Sequence, residues 1–321
     1  MIRLLWRTDV HLSDRAPASR KDDWAETVFG KLMQIRIVAE KLKADAILDG
    51  GDFFHVKSPG RNSHALIRRV AEAHKDYPCP VYCTPGNHDC VYGDYTYLHQ
   101  QPLGVLFAAG VFRPLYDSHE AVFTDPESGV KVRVVGVPYH GTKYDMTRFF
   151  GITKGDEDYL VVVAHVLASR RGGTMFEGED ILSYNDLMGV PASAFLLGHW
   201  HKDQGAVEMG GKWFVNLGSL TRGSLVQDDL QRGPACAMLT FTKEKMSIQV
   251  IRLRVKPAED VFDLEGRDRA QARESKMDVF VENIRGTLAK AASRNLETVV
   301  QEMDGVPDAV RERALLYLEQ V

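Results

Sequence analysis

Apolar residues return at a helical period through residues 24–43, at Val28, Leu32, Ile35, Val38, Ala39 and Leu42, and predict a long helix with one buried face. A second helix is predicted over residues 63–75. Around these helices the pattern shifts to short apolar runs that read as strands: Ile2 to Arg7, Ala46 to Leu48, Val81 to Cys83, Val130 to Val137, Tyr159 to Ala164, Ala194 to Leu197 and Trp213 to Leu217. Residues 235–241 and 246–253 form a β-rich pair with a turn at Thr242 to Lys245. The strand, loop, helix rhythm of the first 200 residues predicts an α/β class, a β-sandwich with helices on its outer faces. Pro257 follows the last strand and marks a boundary. It divides a large domain, residues 1–256, from a helical appendage, residues 257–321. The appendage has helical composition over 270–292 and 307–320, interrupted by Gly305-Val306-Pro307.

Polar chemistry is concentrated where the apolar runs stop. In chain order come Asp9-Val10-His11, Gly50-Gly51-Asp52, Gly86-Asn87-His88-Asp89, a solitary His165, and Gly198-His199-Trp200-His201. Glycines at strand ends let the backbone turn sharply and approach a bound group. If the segments are extended, Asp9 with His11, and His199 with His201, each share a face. Taken singly these residues have ordinary readings: an incidental triplet, a turn-capping Asp52, a hydrogen-bonded core His165. Together they offer carboxylates, an amide carbonyl and several imidazoles, a donor set suited to manganese, iron or zinc. Two such ions against two carboxylates keep a surplus of positive charge for phosphate oxygens, and a water bridging them is acidified for attack on phosphorus.

This order of motifs resembles the calcineurin-like metallophosphoesterase superfamily over about residues 1–255. The resemblance implies a four-layer α/β/β/α sandwich. It places Asp9, His11 and His201 on one metal, Asn87, His165 and His199 on the other, and Asp52 between them. It also implies that His88 acts as general acid or leaving-group stabiliser, with Asp89 orienting it through a hydrogen bond. Mn²⁺ is the expected metal, with Fe²⁺, Mg²⁺ or Zn²⁺ as alternatives.

Three segments are similar to SbcD-type DNA repair nucleases: Thr8 to Leu12, Gly51 to His55 with Lys57-Ser58-Pro59, and Asn216 to Ser224. That similarity implies DNA as substrate, assistance to catalysis by His55, and substrate contact by Arg222. Other candidates for a DNA backbone are Arg15, Arg20, Lys21, Lys57, Arg61, Arg170 and Arg171, with Tyr92, Tyr95 or Tyr97 for base stacking. In those relatives the partner is an SbcC-type coiled-coil ATPase. Here the tail, through Leu315, Leu316 and Leu318, would dock such a partner or form a homodimer.

Composition narrows the picture. The chain has 321 residues, 44% hydrophobic and 26% charged, and no run approaches the roughly 18 apolar residues of a membrane span. Ile2 to Arg7 reads as a strand and not as a signal peptide, so a cytoplasmic location is expected. Cys79, Cys83, Cys90 and Cys236 lack CxxC spacing and read as reduced thiols. Net charge is −4, and residues 257–321 hold 14 acidic and 9 basic side chains, so a polyanion would meet the larger part. The main alternative is a small-molecule or cyclic-nucleotide phosphodiesterase or phosphatase with the same ligands. A non-catalytic scaffold would be expected to have lost ligands or His88, and this chain has lost none.

Overall fold

A computed structural model describes residues 1–55, 62–90, 95–174, 178–266, 300–301 and 305–318. The predicted helix over 270–292, with Lys57, Arg61 and Tyr92, lies outside these residues, as do the side chains of Leu316 and Leu318. The chain divides into two compact units, Met1–Phe262 and Asp263–Val321. In the second unit a helix spans Asp308–Leu318. Beyond Pro257 the first unit continues through a short helix, Ala258–Val261, to Phe262, which bridges to Arg20.

Two six-stranded sheets make up the first unit. In chain order the strands are β1 (Ile2–Arg7), β2 (Ala46–Asp49), β3 (Val81–Cys83), β4 (Arg113–Pro114), β5 (Ala121–Thr124), β6 (Lys131–Val137), β7 (Tyr159–His165), β8 (Ala168–Ser169), β9 (Gly173–Thr174), β10 (Asp180–Ser183), β11 (Ala194–Gly198), β12 (Asp203–Met209), β13 (Lys212–Leu217), β14 (Ala235–Phe241) and β15 (Met246–Arg252). The first sheet runs β15-β14-β1-β2-β3-β4 and the second β12-β13-β11-β7-β6-β5. In the first, β1 to β4 are parallel. In the second, β13, β11, β7 and β6 are parallel. Strands β8, β10 and β9 form a small separate sheet.

Strand β7 shows why its apolar run has no polar alternation. Val161 and Val163 enter the core between the two sheets, whereas Leu160, Val162 and Ala164 face the outer core of the second sheet. A strand buried on both faces needs apolar residues throughout. The same division holds in β1, where Leu4 and Trp6 face the inter-sheet core and Leu5 faces outward.

Helices α1 (Trp24–Leu42) and α2 (His64–Lys75) cover the outer face of the first sheet. Asp23 caps α1 by accepting from the Glu26 N–H, and Ser63 caps α2 by accepting from the Leu66 N–H. Val28, Leu32, Ile35 and Ala39 of α1 are fully or almost fully buried. Each large member contributes about 1.5–3 kcal/mol through burial. The fourth layer is thinner than the first. It consists of a turn of helix at Thr147–Phe150, a 3₁₀ turn at Tyr184–Leu187 and their flanking loops, packed on Leu160, Phe195 and Phe214.

Beneath the loop that follows β2 lies a buried cation. The Arg7 Nε donates to Asp49 Oδ2 at 2.7 Å, and its guanidinium also meets Tyr77 and His74. Phe53, Tyr77 and Phe112 present their rings to it. Asp49 in turn accepts the Gly51 N–H, which ties this network to the turn that carries Asp52.

Candidate metal centre

The motif residues meet at the carboxyl ends of the parallel strands, where open α/β sheets place their ligands. Asp9 follows β1, Asp52 follows β2, Asn87 follows β3, His165 ends β7 and His199 follows β11. Among the contacts that join the loops of the two sheets, two hold ligand residues. His165 Nδ1 donates to Gly50 O at 2.6 Å, and the His199 N–H donates to Asp9 at 3.1 Å.

The backbone here is not extended as the sequence suggested. Asp9, His11, Asp52 and His199 have φ of 54, 51, 52 and 81°, the left-handed region that costs a non-glycine residue about 1–3 kcal/mol. The members of each triplet therefore converge through tight turns and not through strand alternation. Glycine is required beside them. A Cβ at Gly86 would lie 2.5 Å from Asp52 N and 2.7 Å from His165 Cε1, and Gly51 has φ +96°.

Two donor groups that share Asp52 result, beside a third made of His11, His55 and His88. Asp9, His11, Asp52 and His201 form the first, with His11 Nε2 and His201 Nε2 2.8 Å apart. Asp9 Oδ1 lies 3.8 Å from the former and 3.6 Å from the latter. Asp52, His165 and His199 form the second, joined by Asn87 Oδ1 at 3.1 Å from His165 Nε2. Asp52 belongs to both. Its Oδ1 accepts the His88 N–H at 2.8 Å. Its Oδ2 is buried with no hydrogen-bond partner among the described residues, 3.7 Å from His11 Nε2 and 3.4 Å from His165 Nε2. A buried carboxylate oxygen without a donor is costly unless a cation takes its lone pairs.

The electrostatics agree. Burial opposes the ionisation of Asp9, but His11, His165 and His201 hold its carboxyl at about 2. Burial likewise opposes ionised Asp52, and His165 is foremost in holding it well below the usual carboxylate range. Burial disfavours a charged His165, yet Asp52, Asp9 and the Gly50 carbonyl raise it to about 9. The space between the two carboxylates therefore favours positive charge. A proton can supply it, and divalent ions fit the donor set better.

Hydrogen bonds settle which nitrogen each ring offers. The Gly50 carbonyl can only accept, so His165 Nδ1 carries its proton and Nε2 is the donor atom for a metal. His199 Nε2 meets Glu179 Oε1 at 2.8 Å, leaving Nδ1. Glu179 also accepts from the Tyr144 hydroxyl at 2.7 Å, and that hydroxyl accepts the Leu167 N–H. Sequence reasoning missed Glu179 and Tyr144 because neither sits in a motif; the His199 contact alone reveals them. Glu179→Gln keeps an acceptor but loses the negative charge behind the His199 ring. It is expected to weaken binding of the second metal about tenfold, measured by calorimetric titration of Mn²⁺. Unchanged affinity would remove Glu179 from the site.

His55 and His88 stand beside His11. Their rings stack at a centroid separation of 5.4 Å, and His55 Nδ1 is 3.4 Å from His11 Nδ1. The expected bond from Asp89 to the His88 ring is not what orients it. Asp89 instead accepts backbone N–H groups of Asp52, Gly86 and Phe54, pinning the second and third motifs together. His88 Nδ1 is held by the His55 carbonyl at 2.6 Å, which leaves Nε2 free for substrate.

The basic candidates are dispersed. Arg170 and Arg171 are exposed beside the small sheet. Arg222 is buried, donates to the Lys256 carbonyl at 2.6 Å and lies over Phe262. Arg20 is buried and paired with Asp22. Tyr95 spends its hydroxyl on Asp117 and Arg148, and Tyr97 is exposed. Among the described residues no disulfide joins Cys79, Cys83, Cys90 or Cys236, and the last three are buried.

Comparison with known proteins accords with this geometry. The sequence signature of calcineurin-like phosphoesterases matches residues 2–203, so the chain belongs to that family. It is 31% identical over 144 residues to the double-strand break repair protein mus-23 of Neurospora crassa, covering 34% of this chain and 18% of that protein. It is 32% identical over 91 residues to the DNA double-strand break repair protein Mre11 of Saccharolobus solfataricus, covering 28% and 23%. The matched segments thus span less than a quarter of those proteins. Among solved structures, one assigned as a 5′-nucleotidase of Staphylococcus aureus superposes with a TM-score of 0.51 at 16% identity, covering 85% of this chain and 58% of that one. A dimetal phosphatase from Danio rerio gives 0.50 at 12% identity, covering 79% and 97%. These two likenesses establish the fold alone. Among the described residues no helix is long and apolar enough to cross a membrane.

Proposed function

We propose that this phosphoesterase is a phosphodiesterase that cleaves DNA at a centre of two divalent metals, Mn²⁺ by preference. Asp9, His11 and His201 would hold one ion, Asn87, His165 and His199 the other, and Asp52 both. When bound, such ions polarise phosphoryl oxygens and acidify water. The partnerless Asp52 Oδ2 between two imidazole groups carries the two-metal reading.

The chain's own residues supply the rest. The Gly50 carbonyl and Glu179 aim His165 and His199. The His55 carbonyl orients His88 so that a protonated Nε2 can give its proton to the departing oxygen. His55, stacked on His88, completes the wall on that side. DNA as substrate is supported by the local similarity to two double-strand break repair proteins.

Digestion of end-labelled single- and double-stranded DNA with Mn²⁺ tests the reading. Metal-dependent cleavage is expected, and the product ends would give polarity. Turnover of bis(p-nitrophenyl) phosphate or cyclic nucleotides with intact DNA would instead favour a small-molecule phosphodiesterase.

A further inference from the structure

A second concentration of charge lies away from the metal ligands. A cavity of about 410 Å³ beside the N-terminal half of α1 is lined by Arg20, Lys31, Arg222, Arg254 and Lys256. Two carboxylates, Asp23 and Glu26, also line it. Both are already engaged: Glu26 is bound by Arg69 at 2.6 and 2.8 Å, and Asp23 caps α1. Arg20 is compensated by Asp22.

Lys31 and Arg222 are different. Lys31 is 8% exposed and Arg222 is 6% exposed. The Lys31 ammonium donates to the Arg254 carbonyl, and Arg222 Nη2 donates to the Lys256 carbonyl. Neither forms an ion pair with a carboxylate among the described residues. Lysine and arginine are rarely buried unless paired. Burial, with the charges of Arg222 and Arg20, pushes Lys31 down to about 8. The Arg20 guanidinium stands over the Trp24 and Phe262 rings, and Arg222 also lies over Phe262, which fixes these two side chains in place. The result is a prearranged pocket with two buried positive charges and a cationic rim of Arg254 and Lys256.

We propose that this cavity is a phosphate-binding site, separate from the metal centre. A doubly charged phosphoryl group, or adjacent phosphates of a diester chain, would supply the negative charge that Lys31 and Arg222 lack. The arginine offers a fork of donors and the lysine a point charge, a combination suited to tetrahedral oxyanions. The site does not depend on which ester the metal centre cleaves.

The test uses the full chain freed of metal by a chelator, so the metal centre cannot bind the probe. Thermal unfolding is followed with inorganic phosphate against chloride at matched ionic strength. Phosphate at ten times its dissociation constant is expected to raise Tm by about 3 °C. Lys31→Met is expected to raise Tm without phosphate, by removing a buried charge that Asp22 only partly offsets, and to abolish the phosphate increment. Arg254→Gln, on the rim, should weaken phosphate about tenfold in calorimetric titration while leaving the circular dichroism spectrum unchanged. If Lys31 is only a strut to the Arg254 carbonyl, Lys31→Met lowers Tm and phosphate acts like chloride. That result, or full phosphate stabilisation in both variants, would overturn the proposal. The source of the phosphate is read from an unlabelled single-stranded oligonucleotide on the same metal-free chain. Competition with phosphate identifies a nucleic-acid backbone, and phosphate binding without competition identifies free phosphate or a monoester.

Discussion

Asp52→Asn is expected to leave a folded chain that retains at most one divalent ion and hydrolyses bis(p-nitrophenyl) phosphate at least about 10³-fold more slowly. Removing a single positioned donor from an electrostatic site costs 10²–10³, and Asp52 serves both ion positions at once. The substitution is nearly isosteric. Its side-chain oxygen can still accept the His88 N–H, as Asp52 Oδ1 does at 2.8 Å. What disappears is the second negative oxygen, the one that is buried without a donor between His11 and His165. The metal-free variant should nonetheless unfold at a lower temperature than wild type at neutral pH, because protonated His165 loses its carboxylate partner. Added Mn²⁺ should stabilise it far less than wild type. Metal counting by mass spectrometry, with calorimetry in chelator and in Mn²⁺, reads all three effects. Two tightly held ions in the variant would show that Asp52 does not bridge.

His88→Ala is expected to separate chemistry from metal binding. Both ions should remain, because His88 Nδ1 is taken by the His55 carbonyl and the ring is not needed in either ligand group. Turnover of DNA should fall by about 10²–10⁴, the span of a lost general acid. The loss on bis(p-nitrophenyl) phosphate should be smaller, because p-nitrophenolate departs without a proton whereas a sugar alkoxide does not. Equal losses on both substrates would indicate that the ring stabilises charge without transferring a proton. Loss of a metal ion would reassign His88 as a ligand, a role for which its place beside His11 and His55 supplies the means.

Much of the scaffold was legible because burial leaves a periodic trace. Helix α1 declares itself through Val28, Leu32, Ile35 and Ala39, and ends within a residue of the stretch that its period predicts. Strand β7 declares itself as an uninterrupted apolar run because both its faces are covered. Less of the outer layer on the second sheet was legible. Its covering pieces are only four residues long, too short for a helical period to show. Strand β12 was not anticipated either; most of it is only partly buried, so its pattern is weak.

The candidate ligands were legible for a different reason. Each is a polar residue placed where an apolar strand must stop, and the glycines beside them mark turns that a Cβ would obstruct. Their approach to one another was not. It depends on left-handed turns at Asp9, His11, Asp52 and His199, which spacing along the chain does not reveal. The same limit explains Asp89, whose carboxylate serves three backbone N–H groups in place of the neighbouring imidazole.

The sequence by itself determined the longer, regularly buried helices and strands and what candidate metal-binding chemistry their ends offer, because periodicity and residue type are local properties. Tertiary structure alone decided which ring nitrogens are free, that Glu179 stands behind His199, and that Lys31 and Arg222 share a cavity without an ion pair to a carboxylate among the described residues. Each of those depends on atoms brought together from distant parts of the chain, and a hydrogen bond or an uncompensated charge exists only once they meet.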